Sequence, residues 1–146
     1  MQYTIYTDGN YSRIYDEGAF AFIILKGNEE IMRKAVLVKC ETNNRAELKA
    51  IIAGVYSLPD DATEVRVISD SMYALKTLSG DWKRLKNQDL FYNWEKRVKA
   101  MRPNLCIEFM FVKGHSGDYY NELCDQLCVE RLGYNPREGK KEKKEK

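Results

Sequence analysis

Apolar and polar residues alternate along the first third of the chain, a pattern typical of half-buried strands. The alternation predicts three strands, over residues 2–7, 19–25 and 31–38. Turn-forming residues separate them, around Gly18 and in the run Lys26-Gly27-Asn28-Glu29. Because no helix intervenes between these strands, they are expected to form an antiparallel meander.

From Asn44 onward the apolar spacing becomes helical. One helical stripe contains Leu48, Ile51, Ile52, Val55 and Leu58, and Pro59 closes it. The pattern then predicts a strand over 65–68, helices over about 70–78 and 88–101, a strand over 105–112, and a helix over 119–132 with Leu123, Leu127 and Cys128 facing inward. The order βββαβααβα predicts an α/β fold: a five-stranded mixed sheet of three antiparallel strands followed by two parallel ones, with helices on both faces.

Length and composition fit one folded domain, assigned to residues 1–136, followed by a charged and disordered tail over residues 137–146. The chain has 146 residues, of which 44% are hydrophobic, and this is enough for a packed core. No apolar run approaches the ~20 residues of a membrane span, and the start lacks the basic and apolar segments of a leader peptide. We therefore expect a cytoplasmic monomer that makes no membrane contact.

Charge is distributed unevenly between the domain and the tail. The net charge is +2, but residues 137–146 contribute +3, which leaves −1 for residues 1–136. Within the domain one segment is basic: eight Lys and Arg residues lie between Lys76 and Arg102, against three acids. Such a segment is typical of the solvated face of two helices, and it would also attract phosphate groups.

Four cysteines, Cys40, Cys106, Cys124 and Cys128, invite three interpretations: disulfides, a metal site or reduced thiols. Cys124 and Cys128 are four residues apart on a predicted helix, unlike the two-residue gap of a zinc knuckle, and no matching pair lies upstream. A zinc site that combines them with His115 would be unusual. Reduced thiols in a reducing compartment are the expected state.

Four acidic residues occupy positions that ordinary structure can explain one at a time. Asp8 belongs to an Asp-Gly pair that is common in turns, and Asp125 suits a polar helix position. Glu47 follows Asn44 by three residues, which is the spacing of a capping box, and Asp70 follows a strand as a helix N-cap does.

Taken together, the four acids imply a metal site. Asp8 is expected to end the first strand and Asp70 follows the fourth, so if these strands are parallel neighbours both acids lie beyond their carboxyl ends, where open α/β sheets bind ligands. Glu47, in a first helical turn, reaches the same edge, and Asp125 shares an inward helical face with Asn121. Clustered carboxylates repel one another unless cations neutralise them, and an all-oxygen ligand set favours Mg²⁺, with Mn²⁺ as a substitute.

Five sequence segments together resemble the active site of type 1 ribonuclease H. They are Tyr6-Thr7-Asp8-Gly9, Asn43-Asn44-Arg45-Ala46-Glu47-Leu48, Ile68-Ser69-Asp70-Ser71, Val112-Lys113-Gly114-His115-Ser116-Gly117 and Asn121-Glu122-Leu123-Cys124-Asp125-Gln126-Leu127. The resemblance covers about residues 1–133. It implies the ribonuclease H fold and an endoribonuclease that cleaves RNA paired to DNA, leaving 5′-phosphate and 3′-hydroxyl ends.

The resemblance also implies a role for each of these residues. Two Mg²⁺ ions would flank the scissile phosphate. Asp8 and Asp70 would contact both ions, Glu47 one ion and a ribose 2′-hydroxyl, and Asp125 one ion. His115, on a loop with glycines on both sides, would assist proton transfer or product departure.

Six further residues are predicted to contact the hybrid: Gly9, Asn10, Asn43, Trp82, Lys83 and Arg84. Gly9 would let its backbone approach the RNA 2′-hydroxyls, Asn43 resembles an asparagine that touches the RNA backbone, and Trp82 resembles a tryptophan in the DNA-strand channel, although a core position suits it equally. The link over residues 79–86 is short where well-known bacterial members carry a long basic protrusion, which implies lower hybrid affinity or a partner that supplies it.

Two alternatives to this enzyme stay open at the level of sequence. One is a nucleic-acid-binding module that keeps the fold and has lost cleavage, because a fold alone does not establish activity. The other is a different nuclease of the same superfold, such as a Holliday-junction resolvase or an integrase core. The four acids argue against the first alternative, and the Gly-His-Ser-Gly loop argues against the second.

Overall fold

One five-stranded sheet organises the computed structural model, which describes residues 2–39 and 41–136. Its strands are β1 (Tyr3–Ser12), β2 (Glu17–Lys26), β3 (Glu29–Lys39), β4 (Glu64–Ser69) and β5 (Cys106–Phe111), in the spatial order β3-β2-β1-β4-β5. The pairs β1–β2 and β2–β3 are antiparallel, and β1–β4 and β4–β5 are parallel. The predicted mixed sheet is confirmed. Cys40 and the predicted tail over residues 137–146 lie outside the described residues.

The helices follow the predicted order, with two differences at their ends. They are α1 (Asn43–Tyr56), α2 (Met72–Ser79), α3 (Gln88–Asn93) and α4 (Tyr119–Leu132), and a π-helical segment, Trp94–Lys99, continues α3. The helix predicted over 88–101 therefore changes its winding halfway. The helix predicted from Asp70 begins at Met72, because the Oγ of Ser71 accepts a hydrogen bond from the Ala74 N–H and caps it. No helix in the described ranges is long and apolar enough to cross a bilayer.

Helices cover both faces of the sheet, because the central strands present apolar side chains to each face. On one face, Ile5, Phe22 and Ile24 pack with α1, α2 and the segment that contains the fully buried Trp94. On the other face, Ala21 and Ile23 pack against α4. Residues of α4 that are fully buried include Cys124 and Cys128, while Leu123 and Leu127, predicted to face inward, are partly buried against the same cluster.

The first strand is longer than the sequence predicts. The pattern predicts an end at Thr7, but the antiparallel pairing with β2 continues through Asp8 opposite Ala21 and Asn10 opposite Ala19 to Ser12. Glycine and asparagine are weak strand formers, and here the pairing with a buried apolar strand overrides that local preference. Asp8 therefore lies inside a strand, and both the turn assigned to Asp8-Gly9 and the placement of Asp8 at the strand's end are wrong.

Candidate active site

Three carboxylates from different parts of the chain meet at one edge of the sheet. Asp8, Glu47 and Asp70 each have one carboxylate oxygen that lies within 4.8 Å of the corresponding oxygens of the other two. The register of β1 and β4 explains the pairing of the two aspartates. Tyr6 lies beside Ile68 in the parallel ladder. Asp8 follows Tyr6 by two positions, and Asp70 follows Ile68 by two positions, so both aspartate side chains point to the same face of the sheet.

Gly9 brings Glu47 to the two aspartates. A β-carbon at position 9 would lie 2.5 Å from the carbonyl carbon of Ala46 and 2.6 Å from the backbone nitrogen of Glu47. Only glycine allows β1 and the start of α1 to approach this closely. The structure thus gives Gly9 a packing role that the sequence did not reveal, and its contact with RNA stays a prediction.

The carboxylates are not helix caps. The Oγ1 of Thr42 accepts the capping hydrogen bond of α1 from the Arg45 N–H at 3.1 Å. Ser71 caps α2 in the same way. The capping box assigned to Asn44 and Glu47 and the N-cap assigned to Asp70 are therefore wrong. Because neighbouring hydroxyls fulfil these local roles, structural capping does not explain the acids.

Asp125 borders the cluster beside Asp8 and lies outside the group of three. Its Oδ1 accepts a hydrogen bond from the side-chain amide of Asn10 at 3.1 Å, and the same amide nitrogen lies 3.5 Å from Oδ2 of Asp8. The cysteines of α4 hold the helix to β1: the Sγ of Cys124 donates to the Tyr6 carbonyl at 3.4 Å, and the Sγ of Cys128 lies 3.8 Å from the Asp8 carbonyl. Asn10, predicted to contact substrate, here contacts two carboxylates.

Burial and mutual repulsion make the cluster hard to ionise without a cation. Asp8 is 4% exposed, and its burial, together with the charges of Asp70 and Asp125, raises its pKa well above the usual range. Burial and the charges of Asp8 and Asp70 do the same to the pKa of Glu47. Burial also raises the pKa of Asp70, while a hydrogen bond from the Asn121 side chain and the charge of His115 act in the opposite direction.

The donor set fits a divalent metal ion. The Oε1 of Glu47 is buried and has no hydrogen-bond partner within the described residues. A buried carboxylate oxygen in that state costs free energy unless a cation or a proton satisfies it. The three acids offer only oxygen ligands, which suit hard divalent ions. A site that combines His115 with Cys124 and Cys128 is not among the metal-ligand groups found in the described part of the chain.

His115 lies on the loop between β5 and α4, exposed and close enough to Asp70 for its charge to lower the pKa of that carboxyl group. Its backbone has a φ of 58°, a left-handed conformation that is uncommon for residues other than glycine. The loop is fixed to α4 at its far end, where the Gly117 N–H donates to the Glu122 carboxylate at 2.8 Å. The structure thus places the predicted histidine at the cluster.

The remaining predicted substrate residues have different surroundings. The Oδ1 of Asn43 accepts a hydrogen bond from the Tyr11 N–H at 2.8 Å. Trp82 is 46% exposed, so the core alternative is wrong for it, and Trp94 is the buried tryptophan. Lys83 is exposed. Arg84 donates to the carbonyls of Thr77 and Leu78 and to Glu95, so its guanidinium is engaged within the protein.

Sequence reasoning missed two residues of the site. Asn121 is 3% exposed, and its side chain hydrogen-bonds to Asp70. Its spacing of four residues from Asp125 on one helix was the signal that could have identified it. Gly114 was seen as a loop residue, yet a β-carbon there would lie 2.8 Å from Oδ2 of Asp70. Nothing in the local sequence indicates that contact.

Comparisons with known proteins agree with this geometry. The sequence matches the RNase H family model over residues 1–132. It is 34% identical to a ribonuclease H of Treponema denticola, over 89% of this chain and 96% of that protein. It is 37% identical to a ribonuclease H of Trichodesmium erythraeum, over 86% of this chain and 85% of that protein.

The fold resembles the N-terminal RNase H domain of a Mycobacterium tuberculosis protein, solved as a fusion with maltose-binding protein. The TM-score is 0.71 at 21% identity, over 88% of this chain and 91% of that chain. RNase H1 of Halobacterium salinarum gives a TM-score of 0.69 at 22% identity over 89% and 96%.

Proposed function

The chain belongs to the ribonuclease H family of metal-dependent endoribonucleases, and we propose that its clustered carboxylates form the active site. The chain is accordingly an enzyme that hydrolyses the RNA strand of RNA:DNA hybrids. The observation that carries the assignment of the site is the mutual approach of Asp8, Glu47 and Asp70 within 4.8 Å. Asp125, which shares the amide of Asn10 with Asp8, completes the set.

These four residues would hold the divalent metal. Asp8 and Asp70 would contact both Mg²⁺ ions, and Glu47 and Asp125 one ion each, with Mn²⁺ able to replace either. When bound, the two ions would supply positive charge beside the scissile phosphate and would lower the pKa of water there, so that it can lose a proton and attack the phosphorus. The unpartnered Oε1 of Glu47 supports this assignment, because a buried carboxylate oxygen that accepts no hydrogen bond is suited to a cation.

The protein's own groups orient the reaction around that site. Asp8 lies in β1 opposite Ala21 of β2, two residues past the end of the ladder with β4, so the antiparallel pairing sets the position of its backbone. His115, on an exposed loop beside Asp70, would assist proton transfer to the departing 3′ oxygen or the departure of the product. The products would be 5′-phosphate and 3′-hydroxyl ends.

The hybrid would extend from the cluster toward two surfaces. Gly9 and Asn43 would contact the RNA strand, and Trp82 with Lys83 would contact the DNA strand. The exposure of Trp82 and Lys83 supports the second contact. Arg84 is a weaker candidate because its donors are engaged within the protein. A domain over residues 1–136, a disordered tail over 137–146, a monomeric state and a cytoplasmic location stay predictions of the sequence.

A four-substrate assay tests this function. The protein is incubated with Mg²⁺ and end-labelled RNA:DNA hybrid, RNA duplex, DNA duplex or single-stranded RNA. We expect cleavage of the hybrid's RNA strand alone, its loss in excess chelator, and its recovery with Mg²⁺ or Mn²⁺ but not with Ca²⁺, whose larger shell would misplace the attacking water. Binding without cleavage would favour the binding module instead, and full activity in chelator would overturn the metal site.

A further inference from the structure

We propose that Asn10 is a positioning residue whose side-chain amide holds Asp8 and Asp125 together for metal binding. The inference rests on the active site proposed above. The amide nitrogen of Asn10 lies 3.1 Å from Oδ1 of Asp125 and 3.5 Å from Oδ2 of Asp8. A primary amide has two N–H donors, so one side chain can serve two carboxylates at once.

The strand geometry places Asn10 where it can make both contacts. Residues of β1 alternate between the sheet's two faces, and Asn10 follows Asp8 by two positions, so both side chains point to the face that α4 covers. Gly9, between them, points to the opposite face and contacts α1. Asn10 is 7% exposed, so its amide works in surroundings from which most water is excluded.

The two carboxylates need such a link because they belong to different elements. Asp8 is held by the sheet, whereas Asp125 lies in the middle of α4, more than a hundred residues further along the chain. Their like charges repel, and the repulsion is strong where water is excluded. The amide of Asn10 offsets this repulsion, because it donates to both carboxylates.

This role differs measurably from the substrate contact that the sequence suggested for Asn10. A positioning amide affects metal binding in the absence of nucleic acid, because its target is the carboxylate pair. A substrate contact affects the Michaelis constant for the hybrid and leaves metal binding to the free protein unchanged. Partners that orient metal ligands typically change metal affinity by about 10- to 100-fold when they are removed.

The test titrates Mn²⁺ into the full chain without hybrid and measures free Mn²⁺ by electron paramagnetic resonance. Asn10→Ala should weaken Mn²⁺ binding by about tenfold or more. Asn10→Ser, which keeps one short donor, should fall between Asn10→Ala and wild type. Asn104→Ala changes an exposed asparagine in the turn before β5, at the end of the sheet away from the cluster, and should bind Mn²⁺ as wild type does.

Circular dichroism and thermal melting in chelator establish that each variant is folded, and Asn10→Ser carries the test if Asn10→Ala is not. Unchanged Mn²⁺ affinity in a folded Asn10 variant overturns the inference, and a raised Michaelis constant in that variant would assign Asn10 to substrate. The proposed function is tested separately by Asp70→Asn. If wild type and Asp70→Asn bind Mn²⁺ equally, the active-site assignment itself is wrong, whatever Asn10 does.

Discussion

The backbone of Gly114 packs against the carboxylate of Asp70, so closely that a β-carbon at position 114 would lie 2.8 Å from Oδ2 of Asp70. This close approach places the start of the loop that carries His115 against the carboxylate cluster. The far end of the loop is fixed to α4 through Gly117 and Glu122. The loop's position at the cluster therefore depends on the absence of a side chain at residue 114.

We expect Gly114→Ala to slow hybrid cleavage by about tenfold or more, because either Asp70 or the His115 loop must move to admit the methyl group. Stability should change little, since the loop is exposed. Gly117→Ala is the matched control: its φ of 96° makes alanine strained by about 1 kcal/mol, but a β-carbon there meets no atom within 4 Å. Steady-state kinetics on both variants provide the test. If Gly114→Ala and Gly117→Ala lose activity equally, the close contact between Gly114 and Asp70 does not control cleavage.

Asp70→Asn should reduce cleavage by orders of magnitude while folding is preserved. The substitution keeps the shape and removes one charge from a repelling group, so the free energy of unfolding in chelator should hold or rise. Ser71→Ala should do the reverse, because it removes the cap of α2, at a cost of about 1 kcal/mol, and leaves the carboxylates in place. Urea unfolding together with cleavage rates separates the two. Cleavage by Asp70→Asn within a few-fold of wild type would remove Asp70 from the active site.

Stability of the metal-free protein should fall as the pH rises above about 4, until the pH passes the raised pKa values of Asp8 and Glu47. Burial raises the pKa of Asp8 and Glu47, so the folded chain retains protons that the unfolded chain releases above about pH 4. The contribution of those protons to the free energy of unfolding is therefore lost as the pH rises through the pKa values of the folded protein. The ion pair with Arg45 lowers the pKa of Asp89 to about 2, so that group titrates below this window.

Urea unfolding in chelator measures this dependence. Mg²⁺ should flatten it, since the ion replaces the protons as the neutralising charge, and Asp70→Asn should reduce its slope. A metal-free profile that is level or rises over the same range would contradict the arrangement of buried, mutually repelling acids.

Hybrid affinity should depend on the exposed lysines of the segment between α2 and α3. Replacing Lys83 and Lys86 with alanine should raise the Michaelis constant and flatten its salt dependence, by a log-log slope of about 0.9 for each phosphate that the lysines no longer neutralise. Both residues are exposed, so folding should be unaffected. Deleting residues 137–146 should matter less. If that deletion weakens binding more than the double substitution does, the hybrid does not lie along this segment.

Arg84→Ala separates binding from structure in the same segment. Its guanidinium donates to two carbonyls at the end of α2 and to Glu95, so its removal should lower the free energy of unfolding by about 2 kcal/mol. The salt dependence of the Michaelis constant should keep its wild-type slope. A reduced slope with unchanged stability would return Arg84 to the surface that binds DNA.

Much of the fold could be predicted from the sequence because its signals are local. The switch from alternating to helical spacing near Asn44, and the apolar runs of the later strands, identified the element order and the mixed sheet. The same order predicted that Asp8 and Asp70 meet, and they do so because both follow the end of the parallel pairing between β1 and β4, at Tyr6 and Ile68.

Other parts of the site were decided by contacts between elements that no local pattern encodes. Pairing with β2 extended β1 through Asn10, and the crowding of Gly9 against α1 set the depth of Glu47. Nearby hydroxyls took the capping roles that the sequence assigned to the acids. The sequence by itself determined which acids could meet, through strand order and spacing. Only the tertiary structure decided which groups position these acids. The amide of Asn10 and the backbone of Gly114 contact residues that are far away in the sequence, and local sequence preferences do not encode such contacts.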